Sequence, residues 1–219
     1  MPKLKPETQA ARVEHILDAA EICFARSGFH ACTMADICRQ AKISPGAFYG
    51  HFSSKEALIK GIAERDRSTC AAGLAEVMNS GDLMSALNAL GHHYAVDEPT
   101  HKRILCLEIG AESTRNEKVG ETFRSIDKFV QTSFAKLFER AKAEGKINPS
   151  LDAETLALLL MFLGDGLFWR RAIDPEFKAK TAMPAVMSLI EAMLNPTHLS
   201  KDLTQAAGNK RKETESESA

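Results

Sequence analysis

Hydroxyl, phenol, imidazole and ammonium groups gather between Thr33 and Leu58, in the 26 residues TMADICRQAKISPGAFYGHFSSKEAL. Their spacing places them at helix starts. Thr33 with Asp36 is a capping box, in which a hydroxyl and a carboxylate satisfy backbone N–H groups. Met34, Ile37, Cys38 and Ala41 follow at i, i+3, i+4, i+7 and give a short helix one apolar face. Ser44 is a second N-cap with Pro45 at the first helical position, and Ile43 and Phe48 have the spacing of a hydrophobic staple. Ser53 and Glu56 read as a third capping box, with Lys55 in the first turn. Phe48 and Phe52 bury one side of the middle helix and leave Pro45, Gly46, Ala47, Tyr49, Gly50 and His51 for its other sides.

Two short helices joined by about three residues, the second showing small and hydrogen-bonding groups outward, predict a helix-turn-helix. The chemistry open to such a face is recognition of duplex DNA. Small side chains let the backbone approach the floor of the major groove, so Pro45, Gly46 and Ala47 are expected nearest the base edges. Tyr49, His51 and Lys55 are expected on backbone phosphates, with Thr33 and Ser44 assisting from helix starts. A cation such as Lys55 is poorly placed at a helix N-terminus unless both grip the same anion.

Other chemistries find little support. The sequence contains no nucleophile elbow, phosphate loop or HExxH run, so no enzyme activity is expected. Cysteines 23, 32, 38, 70 and 106 form no CxxC pair, and His30 near Cys32 has no partners at zinc-site spacing. Neither metal nor cofactor is expected. His92 and His93 are adjacent, hence about 100° apart on a helix, and cannot easily serve one site. Net charge is −1 overall, but residues 1–60 carry eight basic against six acidic side chains, the remainder twenty against twenty-three. The sign of that asymmetry suits an N-terminal unit facing phosphates. No run of eighteen uncharged apolar residues and no signal peptide occurs, so a soluble, cytoplasmic protein with no membrane partner is expected.

The stretch from Thr33 to Leu58, above all Gly46-Ala47-Phe48-Tyr49-Gly50-His51-Phe52 and Ser54-Lys55-Glu56, resembles the DNA-binding domain of TetR/AcrR-type bacterial transcription regulators. The family's turn reads Ala-Gly-Val-Ser, whereas this chain has Ala41-Lys42-Ile43-Ser44, with Lys where Gly is usual. Gly50 is small for its variable place in the pattern and leaves the half-site sequence open. The resemblance covers roughly residues 10 to 62.

The elements that must position this stretch are all helical. Val13, Ile16, Leu17, Ala20 and Phe24 give a first helix ended by Gly28. A fourth helix runs from Ser54 to about Asn79 with a charged middle, Glu64-Arg65-Asp66-Arg67, that suits a linker between domains. Further helices are predicted over Asp82–Val96, Lys102–Ser113, Val119–Ala141, about Asp152–Arg171, and Pro184–Leu194. The stretch LALLLMFLGDGLFW (156–169) is apolar nearly all round and needs cover on every side, which a partner protomer would supply. A homodimer is therefore expected through Leu159, Phe162, Leu163, Gly164 and Leu167 with Met187 and Ile190.

The expected fold is all-α, with a three-helix DNA-binding domain (1–53), a helical effector-binding and dimerisation domain (54–199), and a disordered polar tail (200–219). The resemblance implies a ligand-responsive repressor that binds a palindromic DNA operator and is released by a small-molecule effector. It also implies a cavity in the second domain, for which Tyr94, Glu108, Phe134, Met161, Phe162, Asp165, Phe168 and Trp169 are the candidate lining. An activator of the same fold, or a helical small-molecule binder without regulated DNA binding, are the alternative readings.

Overall fold

The computed structural model describes residues 6–197, with side chains from residue 9 onward. Residues 1–5 and 198–219, including the polar tail expected to be disordered, lie outside the described residues. What is described is all-α, with an isolated bridge between Ile147 and Pro196 and no strand.

Helix α1 (Pro6–Ala31) buries Ile16, Ala20, Cys23 and Phe24 completely. At Gly28 the backbone leaves helical geometry (φ 78°, ψ 162°), a conformation that costs glycine alone nothing, so the expected stop is there even though one more turn follows. Helices α2 (Met34–Gln40) and α3 (Pro45–Tyr49) pack on this floor through Ile37, Cys38 and Phe48. Both expected caps are formed. Thr33 and Asp36 bond reciprocally, and the Ser44 hydroxyl accepts from Ala47 N with Pro45 at the first position. Between them Lys42 takes up the left-handed conformation (φ 54°) that glycine adopts without strain.

Helix α4 (Lys55–Asn79) is capped by Ser54, whose hydroxyl accepts from Ala57 N. The expected Ser53–Glu56 box is thus displaced by one residue, and Glu56 instead accepts from Asn116 Nδ2 at 3.3 Å. Leu58, Ile59 and Ile62 belong to the N-terminal core, whereas Leu74 and Val77 belong to a second core. The helix therefore passes through both, with its charged middle between, and the N-terminal core reaches past residue 53 to Ile62 and takes in Leu105 and Val119.

The second core is built by α5 (Leu83–His92), α7 (Glu117–Ala143), α8 (Ala153–Ile173) and α9 (Ala179–Leu194), while α6 (Thr100–Ser113) bridges α1, α7 and α8. The fifth helix does not continue regularly to Val96. His93–Asp97 form a turn of π-helix, held from α8 by the Arg171 guanidinium on the carbonyls of Ala95 and Glu98. Helix α9 begins at Ala179 rather than at Pro184, which lies inside it. A proline tolerated there leaves the start to the chain entering from α8 rather than to a local stop signal.

Left-handed lysine has a cost that glycine avoids. Lys42→Gly is expected to stabilise the N-terminal unit by up to about 1 kcal/mol, read as a higher urea midpoint. An unchanged or lower midpoint would show that the turn carries no strain.

Candidate nucleic-acid interface

The short helix α3 presents one side to the core and the rest to solvent. Phe48 is fully buried, and its ring meets that of Tyr49 edge-on at 5.7 Å, which holds Tyr49 outward with 54% of its surface exposed. Ser44, Pro45, Gly46 and Gly50 are exposed, Ala47 and His51 half-buried beside them. A Cβ added at Gly46 would meet nothing within 4 Å, so glycine is not there for want of room inside the protein. The bare backbone faces outward. At the start of α2 the Thr33 hydroxyl donates to Asp36 Oδ2 (2.6 Å) and accepts from Asp36 N (3.2 Å), so the cap occupies its proton. Those bonds from Thr33, with the neighbouring Arg39, hold the Asp36 carboxyl below the usual carboxylate range. Nearby, Arg39, Lys42 and Lys60 are exposed cations.

Lys55 is placed otherwise than its position in sequence suggests. Its ammonium donates to the carbonyls of Phe29 (2.5 Å), His30 (3.3 Å) and Cys32 (3.0 Å) and sits 4.6 Å from the centre of the Phe29 ring. Three donors meet three acceptors. The charge that looked misplaced at the N-terminus of α4 closes the C-terminus of α1, the end of a helix where a cation is favoured.

The same corner receives α6. Glu108 Oε1 accepts from Phe29 N at 2.5 Å, and Glu112 Oε2 lies 2.8 Å from His30 Nε2. A Cβ on Gly28 would come within 3.0 Å of Glu108 Oε1. Glu108 is therefore a strut between the two units, not the pocket group expected. Deeper in, Glu21 of α1, 2% exposed, accepts from Arg65 of α4 at 2.5 Å and lies 3.8 Å from Lys102 of α6.

The remaining expected effector residues scatter. Phe162 and Trp169 are 59% and 54% exposed on the outside of α8. Phe134 stacks on Phe138 against the second core. Met161 is half-buried on α8. Asp165 is exposed, and its carboxyl is pushed up by partial desolvation and by Asp127. Phe168 lies against Arg103, whose guanidinium carbon is 4.1 Å from the centre of its ring, and Tyr94 interacts with Cys70, Asp66 and Arg103. Two open depressions of about 370 Å³ each lie elsewhere, one lined by Asn148, Pro149 and Met193, the other by Leu83, Met84 and Lys146.

The expected dimer residues divide as well. Met187 and Ile190 are buried in the protomer's own core, and Leu163 and Leu167 pack against it. Leu159 is half-buried, and Gly164 has open space where a Cβ would point. Of the expected residues Phe162 stays uncovered, in an exposed apolar stripe with Leu158, Trp169 and Ile173 at helical spacing along α8 and Leu189 of α9. An all-round apolar helix hides which of its faces turns inward, and the side of α8 toward α7 won.

Comparison with known proteins gives this architecture its class. Residues 16–62 match the model of the bacterial regulatory proteins of the tetR family, and residues 95–195 that of the BetI-type transcriptional repressor C-terminal domain. The chain is 31% identical over 171 residues to the HTH-type transcriptional regulator UidR of Escherichia coli, covering 76% of this chain and 84% of that one. It is 36% identical over 196 residues to the HTH-type transcriptional repressor Rv1474c of Mycobacterium tuberculosis, covering 87% and 97%. Among solved structures it resembles Salmonella enterica GusR, with a TM-score of 0.72 at 30% identity over 84% of this chain and 96% of that chain. The chain belongs to the TetR family of transcriptional regulators. Its relatives are by name regulators, not enzymes.

Three charged side chains are buried among the described residues without any expectation from sequence: Glu21, Arg103 and Glu112. Glu21 left a signal, since it falls within the apolar stripe of α1, four residues after Leu17 and three before Phe24. Arg103 left none, because the residues after it, Ile104 to Leu107, are apolar without a break and do not say which side of α6 is buried.

The position of Lys55 makes a prediction that separates capping from phosphate binding. Lys55→Ala leaves three carbonyls without their donor and is expected to destabilise the N-terminal unit by about 2 kcal/mol. The salt dependence of DNA binding, measured below the melting range, should stay within half a unit of wild type. A stable variant whose salt slope falls by about one unit would return Lys55 to the phosphates.

Proposed function

We propose that the protein is a cytoplasmic repressor that binds a palindromic operator as a homodimer and lets go when a small molecule occupies its second unit. The observation that carries the DNA half is the outward face of α3, where Pro45, Gly46 and Ala47 offer little bulk beside the exposed Tyr49. Such a face enters the major groove with Pro45, Gly46 and Ala47 against base edges. Tyr49 and His51 flank the groove toward phosphates, Ser44 and Thr33 stand at helix starts, and Gly50 keeps the end of the helix slim. Lys55 contributes by holding α1 and α4 in place rather than by contact.

The stripe of α8 with Leu189 of α9 supports the dimer, because a row of large apolar side chains this exposed is a surface that association removes from water. Two copies joined there carry two α3 faces, as a two-fold operator requires. Ligand response rests on the struts from α6 to the end of α1. A molecule that shifts α6 acts on Glu108 and Glu112, and through them on the corner that carries α2 and α3.

Ala47→Glu tests the reading face on a duplex recovered by the wild-type protein from a random pool. A carboxylate set against the groove should lower affinity about a hundredfold or more, with folding unchanged. Wild-type affinity would put the contact surface elsewhere. For the dimer, Phe162→Glu should give a folded monomer in sedimentation at micromolar concentration where the wild type sediments as a dimer. A wild-type monomer, or a variant that still dimerises fully, would move the interface off α8.

A further inference from the structure

The exposed apolar stripe of α8 has a carboxylate at its centre. Leu158, Phe162, Trp169 and Ile173 are all exposed, and Asp165 stands on the same side of the helix, three residues after Phe162 and four before Trp169. Whatever covers the row must strip water from the charge in its middle.

The protomer gives Asp165 no counter-charge. Partial desolvation raises its carboxyl from the ordinary value, and the like charge of Asp127 on α7 raises it further. No other charged group of α6, α7, α9 or the π turn acts on it among the described residues. On α8 itself Arg170 lies about 140° round the helix from it, and Arg171 is committed to the carbonyls of Ala95 and Glu98.

The spacing of the row fixes what a second copy sets against it. Residues of a two-fold contact pair reciprocally about the axis. Two antiparallel α8 helices that cover each other's row from end to end place Leu158 opposite the partner's Ile173 and Phe162 opposite the partner's Trp169. The axis then falls between Asp165 and Gly166. Neither Gly164 nor Gly166 has an atom within 4 Å of where a Cβ would point, so the two backbones can come close at this level. The two copies of Asp165 meet across the axis, between apolar rings. Two carboxylates so placed cannot both stay ionised, and one proton between them turns repulsion into a hydrogen bond.

We propose that the homodimer closes around a proton held between the two Asp165 carboxylates at its two-fold axis, so that association takes up a proton and the dimer tightens as pH falls. The inference rests on the proposed dimer through α8 and adds what regulates it. The carboxyl of the free protomer gives up its proton at lower pH than the pair in the dimer does. The contribution to association is therefore complete below the titration of the free protomer, and is lost as pH rises through that of the dimer. A Lys or Arg of the second copy set against Asp165 would reverse the sign.

Sedimentation of the full-length chain, labelled with a fluorophore at its N-terminal amine, gives the dimer dissociation constant from nanomolar to micromolar concentration. Between about pH 8 and about pH 5.5 the wild-type constant should fall about tenfold or more, the limit for one proton being about tenfold per pH unit. Asp165→Asn keeps the shape and needs no proton. It should dimerise at the upper pH at least as tightly as the wild type does at the lower, and its constant should stay within about twofold across the range. Asp127→Asn removes the like charge from α7 and should move the transition to lower pH without abolishing it. A wild-type dimer indifferent to pH, one that tightens as pH rises, or an Asp165→Asn chain that keeps the wild-type dependence would overturn the shared proton while the dimer stands. A wild-type chain that is monomeric at every pH would overturn the dimer, and the inference with it.

Discussion

The end of α1 is a set of backbone groups that the first helix cannot satisfy by itself. Once Gly28 turns the chain out of helical geometry, the carbonyls of Phe29, His30 and Cys32 and the N–H of Phe29 need partners from elsewhere. Lys55 supplies the carbonyls' donor from α4, and Glu108 accepts the N–H from α6. Each is a charge-assisted bond of about 1.5–3 kcal/mol, and each leaves an unpaired group behind if removed. Two helices from different parts of the chain are thereby fixed to one corner, and the helix-turn-helix hangs from it. The backbone break releases the N–H of Phe29, which a regular helix through residue 28 would engage, while the carbonyls are those that any helix end leaves free.

Around that corner the two cores are kept apart by charge. Helix α4 gives Leu58, Ile59 and Ile62 to one and Leu74 and Val77 to the other, and between them Arg65 and Asp66 meet Glu21 and Lys102. Buried ion pairs of this kind add little net stability compared with apolar packing, but they permit only a few relative placements of their helices. A joint built from directional, charged bonds suits a protein in which one unit must move with respect to the other. An oily joint would tolerate slippage and transmit less.

How much of this was legible in the sequence depends on the range of the interactions. The caps at Thr33 and Ser44 join residues three apart, so residue type and spacing are enough to read them, and with them the register and exposed face of α3. Lys55 finds its partners 23 to 26 residues away and Glu108 its partner 79 away, which no local pattern announces. A lysine at a helix start reads as a phosphate ligand when the carbonyls it bonds in the fold lie outside any local window. Helix α8 failed for a different reason. With apolar residues on every side, the sequence demands cover without saying which side the protomer covers: Met187 and Ile190, expected at the interface, are core, and Trp169, expected at the pocket, is exposed.

The claim on which everything else turns is that the corner at residues 28–32 joins the DNA-binding face to α6. Hydrogen exchange of the full-length protein, with and without a duplex selected by the protein itself, measures this directly. Contact with DNA should slow exchange across residues 33–52. Because coupling is reciprocal, exchange should also slow at Phe29 and along residues 100–115, which touch no DNA. Protection confined to residues 33–52, with α6 exchanging as it does in the free protein, would contradict the joint.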